Sequence, residues 1–498
     1  MIRPSRARFL IEAHPEPLAL SLPQPASDAF DLYRRIALPN RPSFLLESGK
    51  GNDAEARYSF MGTDPYLVLS GRDRQYQLRT RDRTTVHEGD PFAALAALMR
   101  RSRIVRPEGL PPFFGGAVGY FSYDLVRQFE RLPTLAADDL PLPDLQFLFV
   151  DLLAALDHRT GTLHLIFAPP LERLLGEPRE KLYREGCDRL AELQARLSAP
   201  APVQPHHGGA LPAAGHLQIT PDQARDSYVA RVRQCQDYIR AGDIYQANLS
   251  HRFTIETGRR PDHPNRVLGE TLFDRLRTVN PSPFSGLLRC DDVCLVSSSP
   301  ERLVRLQGRR VDTRPIAGTR PRGRDRAEDR RLAEDLITNA KERAEHLMLV
   351  DLERNDLGRV CGYGTIRVDE LMLVERYSHV SHIVSNVKGV LHDKFDGFHL
   401  IRAMFPGGTI TGVPKIRCME IIEELEPVRR GPYTGSLGYL SWSGDLDLNI
   451  LIRTLVLTGG NAYLQAGAGI VADSDPDREY EETLFKAEAL MQALRDTH

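Results

Sequence analysis

"LNILIRTLVLTGGNAYLQAGAGIVA", residues 448–472, decides the fold class. Two runs rich in Leu, Ile, Val and Thr flank the Gly459-Gly460 pair, the composition of strands joined by a turn. Just beyond them, "DREYEETLFKAEALMQALRD" (477–496) changes to the three-to-four-residue apolar spacing of a helix. Working outward, "GSLGYLSWSG", "FSGLLR", "VCLVSSSP", "RLVRL" and "RVDTRP" read as further strands, as do "PDLQFLFVDLLAAL" and "TLHLIFA" nearer the start. Between them, "LERLLGEPREKLYREGCDRLAELQARL" reads as helical. "TPDQARDSYVARVRQCQDYIRAGD" reads as a helix capped by Thr220, and "EDRRLAEDLITNAKERAEHLMLVDLERND" as one long helix. No βαβ alternation and no fixed-period repeat is present, so the expected class is α+β, with large antiparallel sheets flanked by helices.

The chain has 498 residues, 41% of them hydrophobic and 27% charged, with a net charge of −2. That length fits two domains or one composite one. The charge balance gives no footprint for nucleic acid or an anionic membrane. Even the arginines of "RPRGRDRAEDRR" (320–331) alternate with acids, as on a solvated face. "SAPAPVQPHHGGALPAAGH" (198–216) is a Pro/Ala/Gly linker, with His206 and His207 read as solvated. It separates an N-terminal region, 1–197, from a second region, 217–498. Six scattered cysteines (187, 235, 290, 294, 361, 418) complete no zinc pattern and are expected to be reduced. No apolar run is long enough to span a membrane and "MIRPSRARFLIEAHPEP" has no secretion core, so a cytoplasmic location is expected.

Several groupings carry chemistry. Glu479 and Glu482 are spaced i, i+3 on the last helix, and Lys486 follows Glu482 by four. Two carboxylates on one face suit a hard divalent cation such as Mg²⁺, although spacing alone favours a solvated face with an i, i+4 ion pair. Glu345 precedes the apolar run of "AEHLMLVDL" and is costly to bury unless paired or metal-bound. In "YSHVSHIVS", His379 and His382 fall on opposite faces if the segment is extended; either is a general acid–base group or a satisfied core histidine. "FPGGTITGVPK" (405–415) imitates a phosphate loop, but Val413 and Pro414 follow Gly412 where a Walker loop needs Lys and Ser/Thr. "QAGAGIVADSDP" allows backbone N–H groups to approach an anion, though a tight strand end explains its glycines too.

In order, "LLES", "RPIAGTRPRG", "AEHLMLVDLERND", "YSHVSHIVS", "FPGGTITGVPK", "IRT", "AGAGIVADS" and "EETLFKA" resemble the chorismate-utilising enzymes from about residue 40 onward. That family includes component I of anthranilate synthase and of aminodeoxychorismate synthase, and the isochorismate and salicylate synthases. The resemblance implies an active site in the C-terminal part. It implies Mg²⁺ held by Glu345, Glu479 and Glu482 and binding the ring carboxylate of chorismate. Lys486, Arg453, Tyr433 and the backbone at Gly467 and Gly469 match the substrate's carboxylate grip. Ala317, Gly318 and Thr319 of "RPIAGT" match another part of the substrate site. Thr409 matches a residue of the same site, His382 the proton donor beside the C4 hydroxyl, and Glu301, in "SSSPE", a second acid–base candidate. "FPGGTITGVPK" then becomes an anion-binding loop for chorismate.

Gln246, in "GDIYQANLS", stands where the water-using branch carries a lysine, so the resemblance implies ammonia as nucleophile, delivered by a separate glutamine amidotransferase. Two products stay open. Ala317 replaces the lysine of the "PIKGT" seen in many C4-aminating enzymes, and "LLES" (Leu46, Glu47, Ser48, with Pro281 and Phe284 as further candidates) resembles a tryptophan site, although "NPSPFSGLL" lacks the "PYM" that helps form that pocket in anthranilate synthases. Both features point to anthranilate. "FPGGTITG", "YQANLS", "GYFSYDLVRQFERLP" and "DLDLNILIRT" lean toward 4-amino-4-deoxychorismate, the precursor of p-aminobenzoate and folate, which is the preferred reading.

Overall fold

A computed structural model describes residues 2–12, 16–48, 57–200, 218–257, 266–376 and 380–495. The side chains of Arg266, Thr319, Pro321, Lys341 and Val380 are outside that description, as are His379 and most of the linker with His206 and His207. Two large sheets, of thirteen and twelve strands, dominate the fold, and every pairing within their ladders is antiparallel. Each sheet takes strands from both sides of the linker. Ser43–Glu47 pairs with Phe284–Cys290 in the first, and Gly116–Phe121 with Ser436–Ser441 in the second. One continuous core of buried Leu, Ile, Val and Phe side chains lies between the elements. A smaller one, around Cys235, Leu249 and Cys418, lies under the helices Arg225–Ala241 and Lys415–Leu425.

The stretch 448–472 does more than turn once. Leu446–Asn449 belongs to the second sheet and Thr454–Thr458 to the first, so the chain changes sheet over Ile450–Arg453. Arg453 sits at φ +49, a left-handed conformation costly for a residue with a Cβ, and so it is held by its surroundings. Asn461–Ile470 then returns beside Gln246–Glu256, with Asn248 opposite Gly469 and Ser250 opposite Gly467. The closing helix, Pro476–Arg495, packs on that strand.

Two helix expectations need revision. The long middle helix is two, Arg326–Thr338 and Ala340–Gly358, because Asn339 takes an extended conformation between them. Thr220 caps no helix. It lies in the strand Ile219–Pro221, opposite Thr254, and the following helix starts only at Arg225 without a side-chain cap. Sheet pairing has outcompeted local capping there. All six cysteines are free thiols. No helix among the described residues is long and apolar enough to cross a membrane.

Candidate active site

The site forms where the two sheets approach each other. From the first sheet come Gln246–Glu256, Asn461–Ile470 and the closing helix. The second supplies Ile316–Pro321 and Val380–Val390, with the helix Ala340–Gly358 packed on both. Residues 405–415 close one side, their turn Gly408–Ile410 lying against that helix.

On the first sheet the glycines mark the floor. A β-carbon on Gly467 would stand 2.5 Å from Asn248 Oδ1 and 2.9 Å from the Tyr433 hydroxyl; one on Gly469 would stand 2.6 Å from Gln246 Nε2 and 3.5 Å from Glu345 Oε1. Any side chain at either position would displace the polar groups above it, so close approach explains both glycines. Lys486 Nζ donates to the Gly467 carbonyl at 3.0 Å and pairs with Glu482 at 2.7 Å. Gln246 Nε2 donates to Glu345 Oε1 at 2.9 Å. The closing helix thus brings Lys486, and the middle helix Glu345, over the same two glycines.

On the second sheet, His382 Nδ1 lies 3.1 Å from the Gly318 carbonyl. A carbonyl can only accept, so Nδ1 carries the proton and Nε2 keeps its lone pair. Burial lowers the imidazole pKa to about 4, with Arg453 and Lys486 pushing the same way. At neutral pH His382 is therefore uncharged. Glu301 moves oppositely. Burial raises its carboxyl to about 7, while the Thr409 hydroxyl, the Ile316 N–H, Lys486 and Arg453 pull it back. Arg453 and Lys486 act on both groups, which places two cations, a neutral imidazole and a protonatable carboxyl around one space.

Sequence reasoning missed three contributors. Glu342 is i, i+3 from Glu345, and its Oε2 would lie 2.7 Å from a β-carbon on Gly318; it pairs with Arg320 at 3.0 Å. The i, i+3 spacing was the available signal. Glu353 is buried beneath the loop, its Oε1 3.7 Å from where a Gly408 β-carbon would be, and its Oε2 accepts from Thr313 at 3.3 Å. Burial with Asp356 and Glu301 nearby raises its carboxyl to about 8. Arg430 is fully buried and donates to Glu426, to the Ile410 carbonyl at 2.8 Å and to the Asn248 carbonyl at 2.7 Å, tying loop to strand. Nothing local in "EPVRRGPY" announces those long-range bonds.

Lys415, at the end of "FPGGTITGVPK", is turned away from the site. It pairs with Asp356 and donates to the Met404 carbonyl at 3.1 Å. A β-carbon on Gly407 would meet Ile450 Cδ1 at 2.9 Å, so the glycine pair of "FPGGT" answers to packing. Ala317, 7% exposed, sits at the irregularity in the pairing of Ile316–Pro321 with Val380–Val390; Thr319 is opposite His382 in that ladder. The "LLES" group lies apart. Glu47 is held by Arg277 at 2.6 and 3.0 Å, Ser48 Oγ donates to the Tyr58 carbonyl at 2.7 Å, Leu46 pairs with Gly286, and Phe284 carries the Arg302 guanidinium over its ring. Pro281 lies three residues before that strand.

A hard cation would find oxygen donors of the right kind in Glu345, Glu479 and Glu482. Among the described residues no three His, Cys, Asp or Glu side chains converge as they stand. Glu345 is engaged by Gln246 and Glu482 by Lys486, so the donor chemistry fits while the carboxylates are turned to protein partners.

Lys486 over the glycine floor, with the Arg453 charge felt at both Glu301 and His382, makes a site that can receive a small anionic ligand. The comparisons agree: residues 41–492 match the chorismate binding enzymes, and the chain belongs to that family. It is 45% identical to anthranilate synthase component 1 of Thermus thermophilus over 99% of this chain and 98% of that one. It is 41% identical to aminodeoxychorismate synthase component 1 of Bacillus subtilis, over 97% of this chain and 98% of that one. Anthranilate synthase component I from Streptococcus pneumoniae superposes with a TM-score of 0.75 at 34% identity, covering 87% of this chain and 92% of that one.

Proposed function

We propose that the protein aminates chorismate with ammonia, chorismate and ammonia giving 4-amino-4-deoxychorismate and water. The observation that carries the nucleophile is the Gln246–Glu345 hydrogen bond. The position that faces the site from the first sheet is a neutral amide, which can orient ammonia but cannot deprotonate water near neutral pH. Arg453 and Lys486 take the substrate's carboxylates. The Glu301 carboxyl, half protonated near pH 7, gives its proton to the departing C4 hydroxyl. His382 Nε2 accepts a hydrogen bond from the substrate and can take up a proton once the substrate's negative charge offsets the neighbouring cations. Glu345, Glu479 and Glu482 would hold Mg²⁺, which when bound neutralises the ring carboxylate and draws electron density from the diene. The ammonia comes from a glutamine amidotransferase partner, and the enzyme works in the cytoplasm.

A second reading, anthranilate plus pyruvate, is favoured by Ala317. No amine stands there to form an adduct with the ring, and the relatives named above include both enzymes. Incubation with chorismate, Mg²⁺ and ammonium, with and without aminodeoxychorismate lyase, separates the two. An aminated chorismate converted to p-aminobenzoate only by the lyase supports the first reading. Anthranilate and pyruvate without lyase replace it by the second.

A further inference from the structure

A pocket of about 240 Å³ opens far along the second sheet, and none of the residues assigned above lines it. It lies between the helix Pro91–Arg101, the turn at Gly308, the segment 391–399 and the turn 441–446. Its floor is apolar: Met99, Leu306, Leu440 and Trp442 are buried, and Phe395 and Phe398 are half-buried. Its rim is charged. The rim acids are occupied: Asp396 by Arg100 at 2.7 Å and by His399, Asp393 by Arg309 at 3.2 Å, and Asp445 by the Gly308 N–H at 2.7 Å and Arg106 at 3.3 Å. Arg103 and Lys394 also line the rim, and among the described residues neither has a carboxylate within ion-pair distance. The Arg103 guanidinium is 3.4 Å from where a β-carbon on Gly444 would stand, so it reaches over the turn toward the pocket.

We propose that this pocket binds a small aromatic carboxylate, its ring on the floor and its carboxylate between Arg103 and Lys394. The floor offers aromatic and sulfur-bearing contacts that suit a flat ring better than a hydrated ion. The unpaired cations supply the complement to one negative charge. A purely inorganic anion would leave the apolar floor uncovered, and a neutral ring would leave both cations unmatched. The site has a physical route to the catalytic centre. The helix Gly397–Met404 begins in the pocket, capped by Asp396, and ends at Phe405, where the loop carrying Thr409 starts. A ligand wedged at the first turn of this helix therefore bears on that loop, whose exit from the helix Lys415 fixes through the Met404 carbonyl.

The chain's single tryptophan, Trp442, lines this pocket, so its fluorescence reports occupancy directly. Benzoate is the probe, with acetate and benzamide as controls lacking the ring or the charge. The expected result is a saturable change of Trp442 emission with benzoate alone. An Arg103→Gln/Lys394→Gln double variant, altered only at exposed positions, should move the midpoint tenfold or more. Lys486→Met should leave the midpoint in place, which separates this pocket from the catalytic carboxylate grip. An unchanged emission together with no retention of benzoate in equilibrium dialysis overturns the proposal. So does a midpoint unmoved by the double variant, or one that moves with Lys486→Met.

Discussion

Gln246 and Glu345, 99 positions apart, meet through one hydrogen bond of 2.9 Å, Nε2 to Oε1, directly above Gly469. The bond joins the first sheet to the middle helix and carries the proposal that ammonia is the nucleophile. Gln246→Lys would set an ammonium against the Glu345 carboxylate and place an ionisable amine where the amide now is. The expected outcome is a loss of ammonia-dependent turnover on the order of 100-fold. Hydroxylated chorismate isomers should appear in reactions without ammonium. Product analysis by mass spectrometry, with and without ammonium, checks this; undiminished ammonia-dependent turnover would remove Gln246 from the nucleophile's site.

As the proposed proton donor, Glu301 should set the alkaline limit of the reaction. Its carboxyl titrates at about 7, with burial as the main cause, and it must be protonated to donate. Turnover should therefore fall as pH rises through about 7, and Glu301→Gln should cost on the order of 100-fold in kcat and flatten that limb. Glu353 has its carboxyl raised well above the usual range by burial, by Asp356 and in part by the Glu301 charge. Glu353→Gln keeps the shape of the protonated acid, so kcat near pH 7 should stay within a few-fold and the alkaline fall assigned to Glu301 should remain. A pH–rate profile of Glu301→Gln that still falls at the wild-type pH would assign the proton to another group.

The strands, the closing helix and most of the candidate site are legible in the sequence, because those rest on local period and on motifs such as "RPIAGT" and "EETLFKA". What it hid depends on distant pairing. "LNILIRTLVLTGG" reads as continuous strand, and only the two sheets' separation forces the crossover that presents Arg453. Asn339 breaks the middle helix without a glycine or proline to mark it. Lys415 completes a phosphate-loop imitation in the sequence, yet its partner Asp356 is 59 positions away. Glu353 and Arg430 were invisible for the same reason, since burial of a charged residue is settled by elements far along the chain.

Three buried histidines should govern acid stability. His251, His346 and His382 all have pKa values lowered from 6.5 to about 4, chiefly by burial. Because the folded values are depressed, the unfolded chain binds more protons between pH 6.5 and 4. Stability is present above 6.5 and is lost as pH falls through that window, at up to about 3 kcal/mol for each fully buried group. Replacing His251, which meets Thr483 through Nε2 at 2.8 Å, by Gln should reduce the slope of stability against pH between 6.5 and 4. Urea unfolding at several pH values measures it, and an unchanged slope would show that His251 is not the group titrating.

Tryptophan should be a poor ligand of the "LLES" region. An amino acid's ammonium would need a free carboxylate there, but Glu47 is 8% exposed and held by Arg277 in two bonds. Displacing that buried pair costs about 3–5 kcal/mol, more than one new ion pair returns. Titration calorimetry with tryptophan should show no binding below millimolar concentration, and activity should be insensitive to it. Micromolar binding that Glu47→Gln abolishes would restore the region as a tryptophan site.

Whether Lys415 grips the substrate or braces the loop can be settled by removing the charge with its partner. Asp356 is buried and the Lys415 side chain is 11% exposed, and Lys415 also holds the Met404 carbonyl where the helix gives way to the loop. Lys415→Met alone leaves Asp356 buried without its cation, and should destabilise the fold by about 3–5 kcal/mol. Lys415→Met with Asp356→Leu replaces the pair by apolar groups, which restores most of that stability. If Lys415 is a brace, the double variant should keep the wild-type KM for chorismate within a few-fold, with kcat reduced by looser placement of Thr409. A carboxylate ligand behaves differently: its loss should raise KM on the order of tenfold or more in both variants, however stable the double variant is. Steady-state kinetics beside urea melts of the two proteins distinguishes the outcomes, and the contact with Asp356 predicts the first.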